Sequence, residues 1–308
     1  MSSKANDLVS TASFGIKWIH GSVPRSGKRD PPLQLWHFDS STMILRESKD
    51  ISFEAPFIYL FLGRKKAMLI DTGATQNRRK FPLRDYVEKE LEKWLNSNPY
   101  RDYSVIVAHT HSHGDHVAGD LQFEGKPGTV VVGKQVGQVL SFFGISGASG
   151  NVGQVDLGGR IIEVTHVPGH HPASVAFYDS QTGFLVTGDT VYPGRLYARD
   201  YPAFVDSLNR LVDFAKSRKV SYVLGAHVEM TDTPRKEYPI GARYQPNEHR
   251  LEMSMNDLVN VRNAATSLVN RPGPHMFDDF AIYHGSCYRA LLSGLFRGMA
   301  TNLVTRFR

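Results

Sequence analysis

Thr110-His111-Ser112-His113-Gly114-Asp115-His116 is the stretch on which the reading of this chain turns. Three imidazoles and a carboxylate fall within positions 111 to 116, directly after Val105-Ile106-Val107-Ala108, an apolar run that reads as a short buried strand. The polar groups therefore emerge at a strand end, on a Gly-containing loop. Packing gives no reason to crowd them there, and burying them without partners costs free energy. Neutral imidazole and carboxylate suit borderline divalent cations such as zinc, provided that at least three such groups converge from different segments.

Further along, the same arrangement recurs. Ile161-Ile162-Glu163-Val164 precedes Pro168-Gly169-His170, and Phe184-Leu185-Val186 precedes Thr187-Gly188-Asp189-Thr190. Val220-Ser221-Tyr222-Val223-Leu224 precedes Gly225-Ala226-His227. Four apolar strands thus end in metal-ligand residue types, as the edge of a sheet sandwich would deliver them. His111, His113, Asp115, His116, His170, Asp189 and His227 are enough for two ions, whereas His37 or His109 alone reads as a polar loop residue.

Together with Leu69-Ile70-Asp71-Thr72-Gly73, these make five ordered motifs between about Phe57 and His227, and the chain resembles the metallo-β-lactamase-fold hydrolases. The resemblance implies an α/β fold, a four-layer αββα sandwich. It implies that His111, His113 and His170 hold a first metal, that Asp115, His116 and His227 hold a second, and that Asp189 bridges them. The glyoxalase II and lactonase branch of binuclear hydrolases is the nearest. True β-lactamase branches typically carry Cys or Ser where Asp189 stands, and flavodiiron relatives carry Glu where His113 stands. Two departures from the family pattern, Asp120 in place of a second Gly and His171-Pro172-Ala173 where Thr-Pro-Gly is common, are expected on the pocket wall and not among the ligands.

Two divalent ions bridged by a carboxylate can share a water and bring its pKa to about 7, giving hydroxide at neutral pH. The expected activity is attack of that bridging hydroxide on an ester, thioester or lactone carbonyl, with Asp115 as the catalytic residue that orients it. The expected cofactors are two divalent ions, Zn2+ first, with Mn2+ or iron as alternatives. Competing readings are a β-lactamase-like amide hydrolase and a mononuclear-iron sulfur dioxygenase of the same superfamily. A non-catalytic scaffold is disfavoured because no ligand is missing. For the substrate, Tyr192 and Arg195 after Asp189, and Arg243, Tyr244 and His249 after His227, are candidates for the pocket rim. Arg can grip a carboxylate bidentately, and Tyr can donate to an oxyanion. No basic cluster of the kind expected in a glutathione-thioester hydrolase is evident. His166 and His171 flank a ligand and read as loop packing or as donors behind the site.

The 308 residues, 41% apolar, show no composition break, so one domain over 1–308 is expected, with 1–30 an N-terminal extension and 239–308 a C-terminal helical elaboration. Met1 to Phe14 lacks the apolar core of a signal peptide, no run approaches the length that spans a bilayer, and Cys287 is the sole cysteine. A cytoplasmic enzyme acting on a small molecule, with no membrane contact, is the expectation. The net charge of +6 and the runs Lys65-Lys66 and Arg78-Arg79-Lys80 read as solvated surface and not as a nucleic-acid interface, since few aromatics interleave with them.

Leu33 to Phe38, Met43 to Arg46, Phe57 to Leu62 and Ala67 to Asp71 read as strands. Val87, Leu91, Trp94 and Leu95 form a helical stripe that begins at Pro82 and stops at Asn98-Pro99. A second helix is expected over Phe204 to Lys216. A third follows the capping box Ser254-Met255-Asn256-Asp257, with Leu258, Val261, Ala265 and Leu268 at helical spacing. Gly144 to Gly159 carries six glycines but no G-K-[ST] ending, so it reads as a loop or hairpin and not a phosphate cradle. From Ser286 on, Leu291, Leu292, Leu295 and Phe296 suggest a packed terminal helix.

Overall fold

A strand that is apolar at every position is buried on both faces, and Phe57–Leu62 is such a strand. Phe57, Tyr59 and Phe61 enter one core, while Ile58, Leu60 and Leu62 enter another. The computed structural model, which describes residues 13–23, 27–146 and 151–285, builds two six-stranded sheets on this alternation. The first runs in the order β1 (Leu33–Asp39), β2 (Thr42–Glu47), β3 (Phe57–Leu62), β4 (Lys66–Ile70), β5 (Ser104–Ala108) and β6 (Thr129–Val131). Neighbours are antiparallel as far as β4, and β4, β5 and β6 are parallel.

The next strands in the chain are β7 (Gly153–Asp156), β8 (Ile161–His166), β9 (Val175–Asp179), β10 (Phe184–Gly188), β11 (Arg195–Ala198), β12 (Tyr222–Gly225) and β13 (Glu252–Met253). All but β11 form the second sheet, in the order β13-β12-β10-β9-β8-β7. Between the sheets lie Ile44, Tyr59, Met68, Ile106, Val164, Phe177, Val186 and Leu224. On the outer face of the first sheet, α1 (Leu83–Ser97) packs Leu83 and Val87 against Leu45, Leu60 and Leu69. Two short helices follow, α2 (Gly114–Val117) and α3 (Val136–Phe142). On the outer face of the second sheet, α4 (Tyr201–Lys216) and α5 (Met255–Ser267) bury Phe204, Leu208, Leu211, Leu258 and Val261 against Leu185 and Val223. This is the four-layer αββα sandwich. The expected capping box starts α5: Ser254 Oγ accepts from Asp257 N, and the Asp257 carboxylate accepts from Ser254 N at 2.7 Å.

Two segments outside the sandwich are built onto it. In the expected N-terminal extension, Phe14 and Trp18 pack on the core. The Phe14 ring lies 4.6 Å from Tyr222 and 4.8 Å from Trp36, and its N–H donates to Glu252 Oε1 across the open edges of both sheets. The region from 239 is not wholly helical. Within its described part, α5 is joined by β13, β14 (Gly273–Met276) and β15 (Ala281–His284), and β15 pairs in parallel with β11 to make a third sheet, β11-β15-β14. The proposed terminal helix and Cys287 lie outside the described residues. Among the described residues no helix is long and apolar enough to cross a membrane.

Candidate metal centre

β5, β8, β10 and β12 all point their C-terminal ends to one edge of the sandwich, and each leads into one of the four ligand motifs. Two glycines allow the loops to close up. Gly188 has φ +53, and a Cβ there would lie 2.5 Å from Thr110 Cβ, so only glycine lets the end of β10 meet the run. Gly169, at φ +137, leaves no room for a Cβ against Phe204 Cα of α4. The run itself is clamped by Asp71. That carboxylate accepts from Thr110 N at 2.8 Å and pairs with His116 Nδ1 at 2.9 Å. Asp71 occupies the left-handed region at φ 69, which Asp tolerates better than bulky residues.

His111, His113 and His170 form one group. His113 Nδ1 lies 2.8 Å from His111 Nε2 and 3.0 Å from His170 Nε2. His170 Nδ1 donates to Tyr197 O at 3.0 Å, which leaves its Nε2 a bare lone pair. Three imidazole nitrogens facing a common point share too few protons to bond one another. Ligand nitrogens on a tetrahedral zinc ion stand roughly 3.3 Å apart, near the separations seen here. Burial lowers the pKa of all three, His113 to about 4 and His111 well below the usual range, with neighbouring imidazoles adding to the effect for both. They are therefore neutral, as metal ligands must be.

Asp115, His116, Asp189 and His227 form the second group, with donor atoms within 4.8 Å of one another. Asp189 faces both groups. Its Oδ2 is 3.5 Å from His170 Nε2 and 3.9 Å from His111 Nε2, while its Oδ1 is 3.5 Å from both His116 Nε2 and His227 Nε2. Asp115 Oδ2 closes the second group at 3.4 Å from His116 and 3.3 Å from His227. Burial opposes charge here, but Asp189 and Asp115 overcome it and raise His227 to about 9; Asp71, Asp189 and Asp115 raise His116 further. The imidazoles in turn hold both carboxylates well below the usual range despite burial. A divalent cation can replace those imidazolium protons, so binding would release them. His116 Nε2 and Asp189 Oδ1 are buried without a hydrogen-bond partner, and so is His113 Nε2. The first two are donor atoms of the second group, and orphaned ligand atoms in such a set fit a bound ion.

The other flanks of the rings are also fixed: His227 Nδ1 donates to Glu54 O at 3.0 Å, and His116 Nδ1 to Asp71. All seven residues singled out in the sequence come together. The substrate candidates do not. Arg195 is 2% exposed, and its guanidinium is taken up by Glu229, Glu237 and Tyr238 O, so it presents nothing to a rim. Tyr192 is buried and donates to Arg195 O, although its ring lies 5.7 Å from His227. Arg243 donates to the carbonyls of Lys49, Asp50 and Ile51, Tyr244 packs near His20, and His249 pairs with Asp279. Asp120 is not on the pocket wall but buried behind the run, accepting from Thr72 Oγ1 and His109 Nε2 and paired with Lys134. His166 bonds Pro172 O as loop packing.

His171 does face the site, with its ring 4.9 Å from His113. Sequence reasoning passed over Arg199. It is exposed just after β11, and its charge lowers His113, His170 and His171. Its only signal was its position ten residues beyond Asp189 in a strand-and-turn context.

A sequence profile of the metallo-beta-lactamase superfamily matches residues 52–227, more than half of the chain. A hydroxyacylglutathione hydrolase of a Synechococcus strain is 33% identical over 126 residues, which are 38% of this chain and 47% of that protein. One from Nostoc punctiforme is 36% identical over 122 residues, 35% of this chain and 45% of that protein. The chain thus spans about half the length of the curated relatives it matches. A solved structure of TMB-1 superposes with a TM-score of 0.50 at 17% identity, covering 77% of this chain and 99% of its own, which bears on the fold alone.

Proposed function

The chain belongs to the metallo-beta-lactamase superfamily, and from that premise we propose that it is a hydrolase that uses two divalent metal ions, zinc first, to open an ester, thioester or lactone. The observation that carries the proposal is Asp189, whose two oxygens face two separate donor groups. In this reading His111, His113 and His170 would hold one ion and Asp115, His116 and His227 the other, with Asp189 placed between the two groups. A single-iron oxygenase of the superfamily would use much the same ligand set, and metal analysis separates the two readings. When bound, the ions supply Lewis acidity and an acidified water.

The chain's own residues do the rest. Asp71, Tyr197 O and Glu54 O fix the tautomer and tilt of three ring ligands. Asp115, at 23% the most exposed member of the second group, is held as a carboxylate and is placed to orient the attacking water. Arg199 and His171 stand beside the three-histidine group, where an anionic part of the substrate would meet them. The names of the curated relatives favour thioesters among the three substrate types.

Metal analysis of purified protein, followed by a panel of activated esters, thioesters, lactones and β-lactams, tests this. Close to two ions per chain are expected, with turnover of the first three types, abolished by a chelator and restored by zinc or manganese. A single tightly held iron with oxygen uptake on a persulfide, or efficient β-lactam opening alone, would refute it.

A further inference from the structure

Arg195 and Glu229 form an ion pair that touches no proposed metal ligand, yet each is joined by a short path to one. Arg195 opens β11, and two residues later Tyr197 O receives His170 Nδ1. Glu229 follows His227 by two residues. The carboxylate takes the Arg195 backbone N–H on Oε2 and the guanidinium Nη1 on Oε1, both at 2.7 Å. Tyr192, three residues past Asp189, donates its hydroxyl to Arg195 O and lies 3.2 Å from Glu229 Oε2. There is no slack at this junction: a Cβ on Gly194 would stand 2.2 Å from the Tyr192 ring and 2.8 Å from Glu229 Oε2.

We propose that the Arg195–Glu229 pair is a positioning device, locked by Tyr192, that sets the separation of the two donor groups from outside them. It ties the segment behind His170, in the first group, to the segment behind His227, in the second, through the residue stack that follows Asp189. The device draws on a part of the chain beyond the family match. β15 pairs along the whole of β11, and Glu237 and Tyr238 O complete the arginine's shell. Without the pair, β11 and the residue-229 turn can drift apart, and the two groups with them.

The inference rests on the two-ion reading above, and its test reads metal binding and not turnover. Glu229→Gln keeps the shape and removes the charge; Arg195→Lys keeps the charge and loses the fork; Tyr192→Phe removes only the hydroxyl. Each is stripped of metal, titrated with zinc against a chromophoric chelator, and examined after cobalt substitution by visible absorption. Thermal unfolding of the stripped protein is measured alongside.

Partners behind metal ligands are worth roughly 10- to 100-fold in affinity. Glu229→Gln is expected to weaken zinc binding by that amount and to change the cobalt spectrum, Arg195→Lys to do so less, and Tyr192→Phe by about threefold with little loss of stability. A purely structural pair would lower the melting temperature of the stripped protein while leaving affinity and the cobalt spectrum of the folded molecules as in wild type. That outcome overturns the proposal. If Glu229→Gln does not fold, Tyr192→Phe decides, and wild-type affinity and spectrum in that variant overturn it equally. Wild-type protein that takes up no ion overturns the pair's role together with the functional reading, whereas wild type that loads two ions beside indifferent variants overturns the pair alone.

Discussion

At the end of the sandwich remote from the histidine run, Arg160 is as buried as the metal-site histidines, and every one of its nitrogens is met. Nε and Nη2 hold the two oxygens of Asp179 at 3.0 and 2.6 Å, Nη1 donates to Ser41 O and Leu62 O, and Nη2 also reaches Thr42 Oγ1. The Phe61 ring covers the guanidinium. At the opposite end, His113 Nε2, His116 Nε2 and Asp189 Oδ1 are equally enclosed and have no hydrogen-bond partner. The same two sheets thus satisfy a buried charge fully in one place and leave polar atoms bare in another. Of these atoms, His116 Nε2 and Asp189 Oδ1 belong to the second donor group, where the proposed ion would complete their shells.

The sharpest way to break this contrast is Asp189→Ala. It should strip most of the metal from both groups and take turnover below detection, as read by elemental analysis and the substrate panel. A variant that kept two ions would show that the bare atoms at this end have no such role. Arg160→Met is the mirror experiment. It should cost about 3–5 kcal/mol of stability in denaturant unfolding of the metal-free protein, because Asp179 is left buried and uncompensated. Zinc bound per folded chain should not change, and a variant that lost metal would couple the two ends.

Glu47 sharpens the contrast at a third place. It is fully buried, and burial raises its pKa to about 7 although Thr75 and Ala74 N bond the carboxylate. The folded state therefore keeps a proton that the unfolded chain gives up near 4.5, so this group favours folding at low pH, and its contribution is lost as pH rises from about 4.5 to 7. Glu47→Gln, neutral throughout, should flatten that decline, so the variant gains on wild type at pH 8 and not at pH 4.5. Equal gains at both would assign the effect to packing. The smallest change is expected from His171→Ala. Its ring is beside the three-histidine group but not in it, so metal content should hold and turnover should fall no more than a few-fold. Loss of metal here but not in His170→Ala would move the ligand assignment by one residue.

Much of this was legible in the sequence because local patterns and one spacing carry it. The unbroken apolar run Phe57–Leu62 and the helical stripe of Val87, Leu91 and Trp94 are local signals, and each held in the structure. The gathering of the seven polar residues was legible because packing gives no reason to cluster such side chains at strand ends, and the structure brings them together in two groups. Arg195 was misread because a sequence records a charge but not its partners, and Glu229 and Glu237 arrive from a distant part of the chain. Asp120 was misread for the same reason, its partners being Thr72, His109 and Lys134. The role of residues 14–18 was available in part: Phe14, Ile16 and Trp18 alternate as a strand would, but polar surroundings and a position near the start of the chain hid the pattern.

That strap along the open edges of the sheets has a bearing on how the protein is made. Phe14 is anchored on Glu252, 238 residues later in the chain. At a synthesis rate of about 5–20 residues per second, its aromatic side chain leaves the ribosome on the order of ten to fifty seconds before its anchor exists. The edge formed by β1 must stay unsealed throughout that interval, and closure is a late, long-range event that entropy makes slow. Phe14 is therefore a residue that a chaperone has a long interval to find on the nascent chain.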